Sequence, residues 1–358
     1  MERWHLCLKR YNMVDASLTL INAVSVHAVG NKLLGEELTL SDDILHLPND
    51  KLKSHLLTYF FSSFNSPEYY NFDLEKEGSN PHVVYTLVKE IFGDPASLHD
   101  HSINLAQHLY NVSQHNHIKS GDLFVGHFSG VVIERKSWDV VGIFKCETKE
   151  SYLKLKKEAG HFKLNADEGI NIRKLDKGCL VLRDEETEGY KVMIVDNTNR
   201  SDAQFWKDDF LGVRAWSDSF HHTHNFMNLT RQFVGDQLDE EFSVSKADKI
   251  DLLNRSMDFF KSRDQFSQHE FESEVLEDPS VIESFRKYER SIMSDQDIVD
   301  NFEISAHAVK RQARVFKSVL KLDKNFHIYI HGNRDLIEKG FDEVRNRHYY
   351  KIYFDEES

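Results

Sequence analysis

Cysteine is almost missing from this chain. Three residues, Cys7, Cys146 and Cys179, stand far apart in 358 positions. No CxxC pair occurs and no histidine lies near them at zinc spacing, so neither a disulfide scaffold nor a cysteine-based zinc module fits. The reading is a reduced, cytoplasmic protein. Proline is equally sparse, with five scattered residues against 16 glycines, which excludes collagen-like and proline-rich segments. No apolar run approaches the ~20 residues of a membrane span. The opening MERWHLCLKRYNMVDASLTL lacks the apolar block of a signal peptide. Its first twelve residues differ from the patterned chain that follows. Met13 is the more natural beginning, and residues 1–16 read as a disordered extension. P-loop, GxGxxG and GxSxG signatures are absent, as is any repeat of fixed period.

What is present is apolar and aromatic. Hydrophobic residues make up 40% of the chain and include 25 Phe, enough for real cores. At about 150 residues per domain, the length suits two or three units. LTLINAVSVHAVGN reads as a strand ending in a turn, and KLKSHLLTYFFSSF, HVVYTLVKEIFG and SLHDHSINLAQHLYNVSQ as helices. Then DLFVGHFSGVVIE, WDVVGIFKCET, SYLKLKK, CLVLRD and YKVMIVD follow as short strands rich in β-branched and aromatic residues. DAQFWKDDFLGVR (202–214) reads as a closing helix. From about residue 217 helical spacing dominates, with stripes at Ile250, Leu253, Met257, Phe260 and at Val281, Phe285, Tyr288, Ile292. NFHIYIHGN and HYYKIYF read as two terminal strands that pair with each other. The fold class is therefore α+β. Helices pack on a largely antiparallel sheet in a domain over 17–216, and a mainly helical domain over 217–358 ends in a basic helix and a short β pair.

Charge is distributed unevenly. The formal net charge is −14. Residues 239–303 hold eighteen Asp/Glu and eight Lys/Arg, whereas VKRQARVFKSVLKLDK (309–324) holds six cations and one acid. At 100° per residue, Val309, Ala313, Phe316 and Leu320 fall on one side of a helix. Lys310, Arg314, Lys317 and Lys321 form a parallel row beside them, flanked by Arg311 and followed by Lys324. A row of cations over three turns suits the spaced phosphates of a nucleic acid backbone, with little sequence preference. The plainer reading is a solvated face balancing the acidic segment. Another reading has segment 239–303 docking a basic protein partner, or the basic helix of a second copy in a homodimer.

Asp122, Glu134 and Lys136 match the loose D…ExK pattern of metal-dependent nucleases, and Asp139, Glu147 and Lys149 match it again. A pattern met twice within one sheet carries little, and the chain is read as a non-enzyme without catalytic residues. Histidines cluster at His99/His101, His115/His117 and His221/His222/His224. His101, His108 and His115 recur at sevens on one helix face, but no carboxylate or cysteine at zinc spacing joins them, so no metal and no cofactor is expected. Asp196, Asn197, Thr198 and Asn199 read as a turn whose side chains bond its own backbone.

SGDLFVGHFSG, INIRKLDKGCLVL, VDNTNRSDAQFWKDDFL, EFSVSKADKIDLLNRS and, above all, AVKRQARVFKSVLKLDKNFHIYIHGNRDLIEKGFDE resemble the bacterial nucleoid-associated protein family of the NdpA/YejK type. The likeness runs from about Leu18 to Phe354. It implies a cytoplasmic, nucleoid-located, DNA-associating protein without catalysis, and it assigns no site residues. The DNA-contacting set Lys310, Arg311, Arg314, Lys317, Lys321 and Lys324 rests on charge geometry alone.

Overall fold

The computed structural model describes residues 13–73, 82–158, 160–184, 190–198, 205–293, 298–313, 316, 319–322, 325–329 and 336–356. The chain divides into two units, Met1–Trp216 and Ser217–Ser358. The first begins with β1 (Val14–Asp15), β2 (Leu20–Val29), β3 (Leu38–Thr39), α1 (Asp50–Phe61), β4 (Tyr69–Phe72), α2 (Val83–Gly93) and α3 (Leu98–Val112). It continues with β5 (Gly121–Ile133), β6 (Lys136–Cys146), β7 (Glu150–Glu158), β8 (His161–Gly169), β9 (Lys177–Leu182), β10 (Lys191–Asp196) and β11 (Val213–Ala215). As the strand-rich sequence implies, the architecture is α+β with an antiparallel sheet.

Nine of these strands form one sheet in the order β11-β4-β10-β9-β6-β5-β2-β3, with β1 on the distal part of β5. Its spine is the β5–β6 hairpin, paired from Asp122↔Cys146 to Ile133↔Lys136. Glu134 and Arg135 close it with φ of 50° and 67°. Two consecutive positive φ values give the turn a twist that matches the right-handed twist of the strands. Side chains alternate across the sheet. Leu123, Val125, Val141, Ile143, Cys179 and Val181 lie on the face covered by α2, α3 and Trp206. Phe124, Phe128, Val140, Phe144, Leu180 and Leu182 lie on the face covered by Tyr59, Phe60 and Phe61 of α1. Burial on both faces explains why these strands read as near-continuous apolar runs.

Room for the rings comes from a glycine pair. Gly126 and Gly142 face each other in the register. A Cβ on Gly142 would sit 2.5 Å from the Phe144 ring, and one on Gly126 would sit 2.6 Å from the Phe128 ring. Phe60 stacks on Phe144 at 4.2 Å and meets Phe128 edge-on at 5.8 Å.

Several polar groups buried on the α2–α3 side are hydrogen-bonded. His27 is 2% exposed. Its Nδ1 accepts the Ser41 amide at 3.1 Å. The other nitrogen therefore carries the proton of the neutral ring and donates to Ser102 Oγ at 2.8 Å. Burial, with His99 adding repulsion, lowers its pKa to about 4.

Several expectations are corrected in this unit. Val14 is buried and pairs with Ile133, so Val14–Asp15 belong to the sheet, with Met13 and Ala16 packed on the core, and not to an extension; residues 1–12 lie outside the described ones. Of the helix expected over 202–214, Phe205–Leu211 form a wide helical turn and Val213–Ala215 are extended, because β11 pairs with β4; residues 202–204 lie outside the described ones. α3 ends at Val112, so His115 does not share its face with His101 and His108. β8, which had no counterpart in the sequence reading, pairs with β7 as a separate ribbon.

The second unit contains α4 (Ser219–Gln232), α5 (Leu238–Glu241), α6 (Lys246–Lys261), β12 (Gln265–Ser267), α7 (Gln268–Phe271), α8 (Pro279–Ile292) and β13 (Asn301–Glu303). It ends with α9 (Ala306–Gln312), β14 (Val319–Leu322), β15 (Phe326–Tyr329), β16 (Ile337–Asp342) and β17 (Arg347–Ile352). Its core is a phenylalanine cluster. Phe226 packs on Phe266 at 4.3 Å and edge-on to Phe271 at 5.0 Å, while Phe266 stacks on Phe302 at 4.4 Å. Such rings contribute both area and pair geometry. The α6 stripe is inward as read, and α8 opens with Pro279 behind the Asp278 cap. The terminal strands pair differently from expectation: β14 with β15, and β16 with β17. Each strand takes the neighbour that a short loop delivers.

Two outcomes are expected. Gly142→Val should cost about 1–3 kcal/mol by overfilling the ring layer, read as a lower urea midpoint at unchanged slope. The folded His27 ring takes its proton near pH 4, whereas an unfolded histidine does so near 6.5, so the unfolded chain binds more protons in between. This contribution is complete above about pH 6.5 and is lost as pH falls towards 4. Urea titrations between pH 7 and 4 should show His27→Gln with a shallower pH dependence, by on the order of 2 kcal/mol across that window.

Candidate nucleic-acid interface

The basic segment begins at a well-built helix start. Ser305 Oγ accepts the Ala308 amide at 3.4 Å, and the Ser305 amide donates to Thr223 Oγ1 of α4 at 2.9 Å. Ala308, Val309 and Gln312 face inward, where Gln312 Nε2 donates to the His224 carbonyl at 3.4 Å. That burial turns His307, Lys310 and Arg311 outward, and all three are exposed. Residues three and four apart share a helix face, so this is one cationic edge.

The edge is shorter than the sequence spacing suggests. α9 stops at Gln312, and Val319–Leu322 are extended as β14, with Lys321 opposite His327. Phe316 keeps the predicted inward position at 8% exposure. Leu320, read as the next helical core position, instead lies on the strand. The cations thus do not form a single row along one helix. Lys310 and Arg311 sit on α9 and Lys321 on β14, while Arg314, Lys317 and Lys324 lie outside the described residues.

The acidic stretch before α9 keeps its own cations occupied. Arg255 bridges Asp251 at 2.9 Å and Glu277 at 3.0 Å, and Arg263 reaches Glu274 at 2.6 Å. Arg286 holds the buried Glu272 through two bonds of 2.6 Å, which raises the guanidinium pKa. Glu289, buried beside them, is held above the usual carboxylate range by desolvation, although Gln268 donates to it at 3.0 Å. Lys310 makes no ion pair among the described residues.

The nuclease-like sets do not assemble. Asp122 and Glu134 lie at opposite ends of the β5–β6 hairpin, roughly 40 Å apart at 3.4 Å per residue. Asp122 instead pairs with Lys149 at 2.9 Å, and Lys136 lies over the Trp138 ring at 4.0 Å. In the second set, Asp139 takes His127 Nε2 at 2.8 Å, while Glu147 pairs with the buried Lys145 at 3.0 Å. The histidines likewise serve locally: His101 approaches Glu90 at 3.3 Å, His108 meets the Phe210 carbonyl, and His115 lies against His117. Among the described residues no three His, Cys, Asp or Glu gather in a metal-holding group, and no helix is long and apolar enough to cross a membrane. Asp196 grips Lys177 Nζ through both oxygens and accepts the Thr198 amide at 3.0 Å, the self-bonded turn the sequence implies.

Sequence counting missed a group of exposed cations on the β7–β8 ribbon. Lys154, Lys156 and Lys157 of β7 and Lys163 of β8 are all exposed, hidden from a charge count by Glu150, Glu158, Asp167 and Glu168 around them.

The family described as nucleoid-associated protein YejK (NA37) matches residues 25–348. The chain belongs to this family of nucleoid-associated proteins. No curated protein matches the chain significantly. The match spans α9 and β14–β16 as well as most of the large sheet, so it takes in most of both units.

Ser305→Ala should loosen the start of the basic edge. The expected cost is about 1 kcal/mol, seen as faster hydrogen exchange at the α9 amides with the phenylalanine core still protected.

Proposed function

We propose that this nucleoid-associated protein binds DNA directly, through phosphate contacts from Lys310, Arg311, Arg314, Lys317, Lys321 and Lys324, with little sequence preference and no catalytic step. The supporting observation is the exposed edge of α9. There Lys310 faces solvent and makes no ion pair among the described residues, with Arg311 exposed beside it. A protein of charge −14 is repelled by DNA at long range, so binding must come from such a local patch. Phosphate contacts set position and not base identity, so they do not require one straight helical row of cations. The same reading places the protein in the cytoplasm, on the nucleoid.

The test is fluorescence anisotropy with a 30-base-pair duplex across a salt series. With about five phosphates engaged, the slope of log K against log salt should be about −4 to −5. Lys310→Glu with Arg311→Glu should make that slope shallower by about 2 and weaken unrelated duplexes equally. Unchanged affinity and slope in the double variant would remove this surface from DNA binding.

A further inference from the structure

The β7–β8 ribbon stands apart from every core of the first unit. All nine residues of β7 are exposed, as are His161–Glu168 of β8. The register sorts its side chains strictly. Tyr152, Lys154, Lys156, Lys163 and Asp167 share one face, and the opposite face is apolar. On that second face Leu153 is 71% exposed, Leu155 63%, Phe162 67% and Leu164 62%, and none of them joins a hydrophobic cluster. An isolated two-stranded ribbon is at best marginally stable in water, and four large uncovered side chains on one face mark an interaction surface.

We propose that the apolar face of this ribbon docks on the same face of a second copy, in antiparallel orientation about a twofold axis. Two features select that occupant. The first is charge: only two ionisable side chains lie on the apolar face, and they have opposite signs at opposite ends. Lys157, paired with Phe162, is near the tip, and Glu168, paired with Ser151, is near the base. The two rungs are six residues, about 20 Å, apart. Antiparallel stacking brings each Lys157 within diagonal reach of the partner copy's Glu168. Parallel stacking would set like charges together at both ends.

The second feature is shape and area. The axis that matches Lys157 to Glu168 passes between the Leu153 and Leu155 rungs. It sets Leu153 over Leu155 on one strand and small Ala166 over Leu164 on the other. The four large apolar side chains contribute roughly 100 Å² each, so two ribbons remove roughly 800 Å² from water through them alone. Ala166, Ser151 and the Lys157 and Glu168 stems bring the total towards the ~1,200 Å² at which specific interfaces begin. An isologous contact of this kind closes on itself and ends at a dimer. Lys154, Lys156 and Lys163 remain in solvent on the outer faces.

The experiment is sedimentation velocity from 1 to 100 µM on the full chain, with circular dichroism melting as the folding control. Wild type should be dimeric at the upper concentrations, and Leu155→Glu with Leu164→Glu monomeric with an unchanged melt, since neither side chain touches a core. Lys157→Glu alone should weaken association at least tenfold, and adding Glu168→Lys should restore it. A wild-type monomer at 100 µM overturns the proposal, as does a dimer indifferent to the two leucine changes. The same variants in the anisotropy assay separate the rival occupant: lost DNA binding at unaltered sedimentation would make the ribbon a nucleic-acid arm.

Discussion

Two-sided burial of the β5–β6 hairpin is the constraint from which the first unit follows. Thirteen residues of β5 and eleven of β6 run past each other, and nearly every side chain on them is enclosed. Both faces must be covered, so α1 packs on one and α2 with α3 on the other. The Gly126–Gly142 pair leaves a trough in the middle of the hairpin, and the Phe128 and Phe144 rings lie in it beneath Phe60. Some of the polar groups drawn into this interior are paired, whereas the Tyr59 hydroxyl and the Trp206 indole nitrogen are buried without a hydrogen-bond partner among the described residues. Lys145 with Glu147 and Lys177 with Asp196 sit at the end of the sheet, almost without solvent. Buried pairs of this kind contribute little net stability, yet losing one partner strands a charge. They fix geometry more than they add strength.

The second unit solves the same problem with different material. Its helices are short and its strands come in pairs, so no large sheet organises it. Interlocked phenyl rings from α4, α6, α7, α8 and β12–β13 do so instead. Polar specificity appears at the rim, where Ser305 is tied to Thr223 and Gln312 to His224. Those two ties join α9 to α4 and aim its cationic edge outward.

Much of this was legible in the residues. The helices at 50–61, 83–93 and 98–112 and the strands at 121–133 and 136–146 follow from periodicity and from turn residues, because local preference and burial agree there. Legibility failed where a non-local partner decided the outcome. Val309, Ala313, Phe316 and Leu320 keep helical spacing throughout, yet Val319–Leu322 pair with Phe326–Tyr329 and leave the helix. Nothing local distinguishes these outcomes, since strand preference reflects the neighbour more than the backbone. HFKLNADEG escaped notice because its alternation is half polar and its whole length is exposed. His115 seemed to continue the α3 face, but α3 ends where Asn31, from the loop after β2, takes the His115 and Ile118 carbonyls. Of the six cations read as one helical row, Lys310 and Arg311 lie on α9 and Lys321 on β14.

The rims of the nine-stranded sheet carry a consequence for life at high concentration. One margin is β11, three residues long, and the other is β3, with two. Since β3 covers only Ala28 and Val29, most of β2 from Leu20 to His27 has no strand neighbour on that side among the described residues, and this is the margin along which an added extended segment would pair.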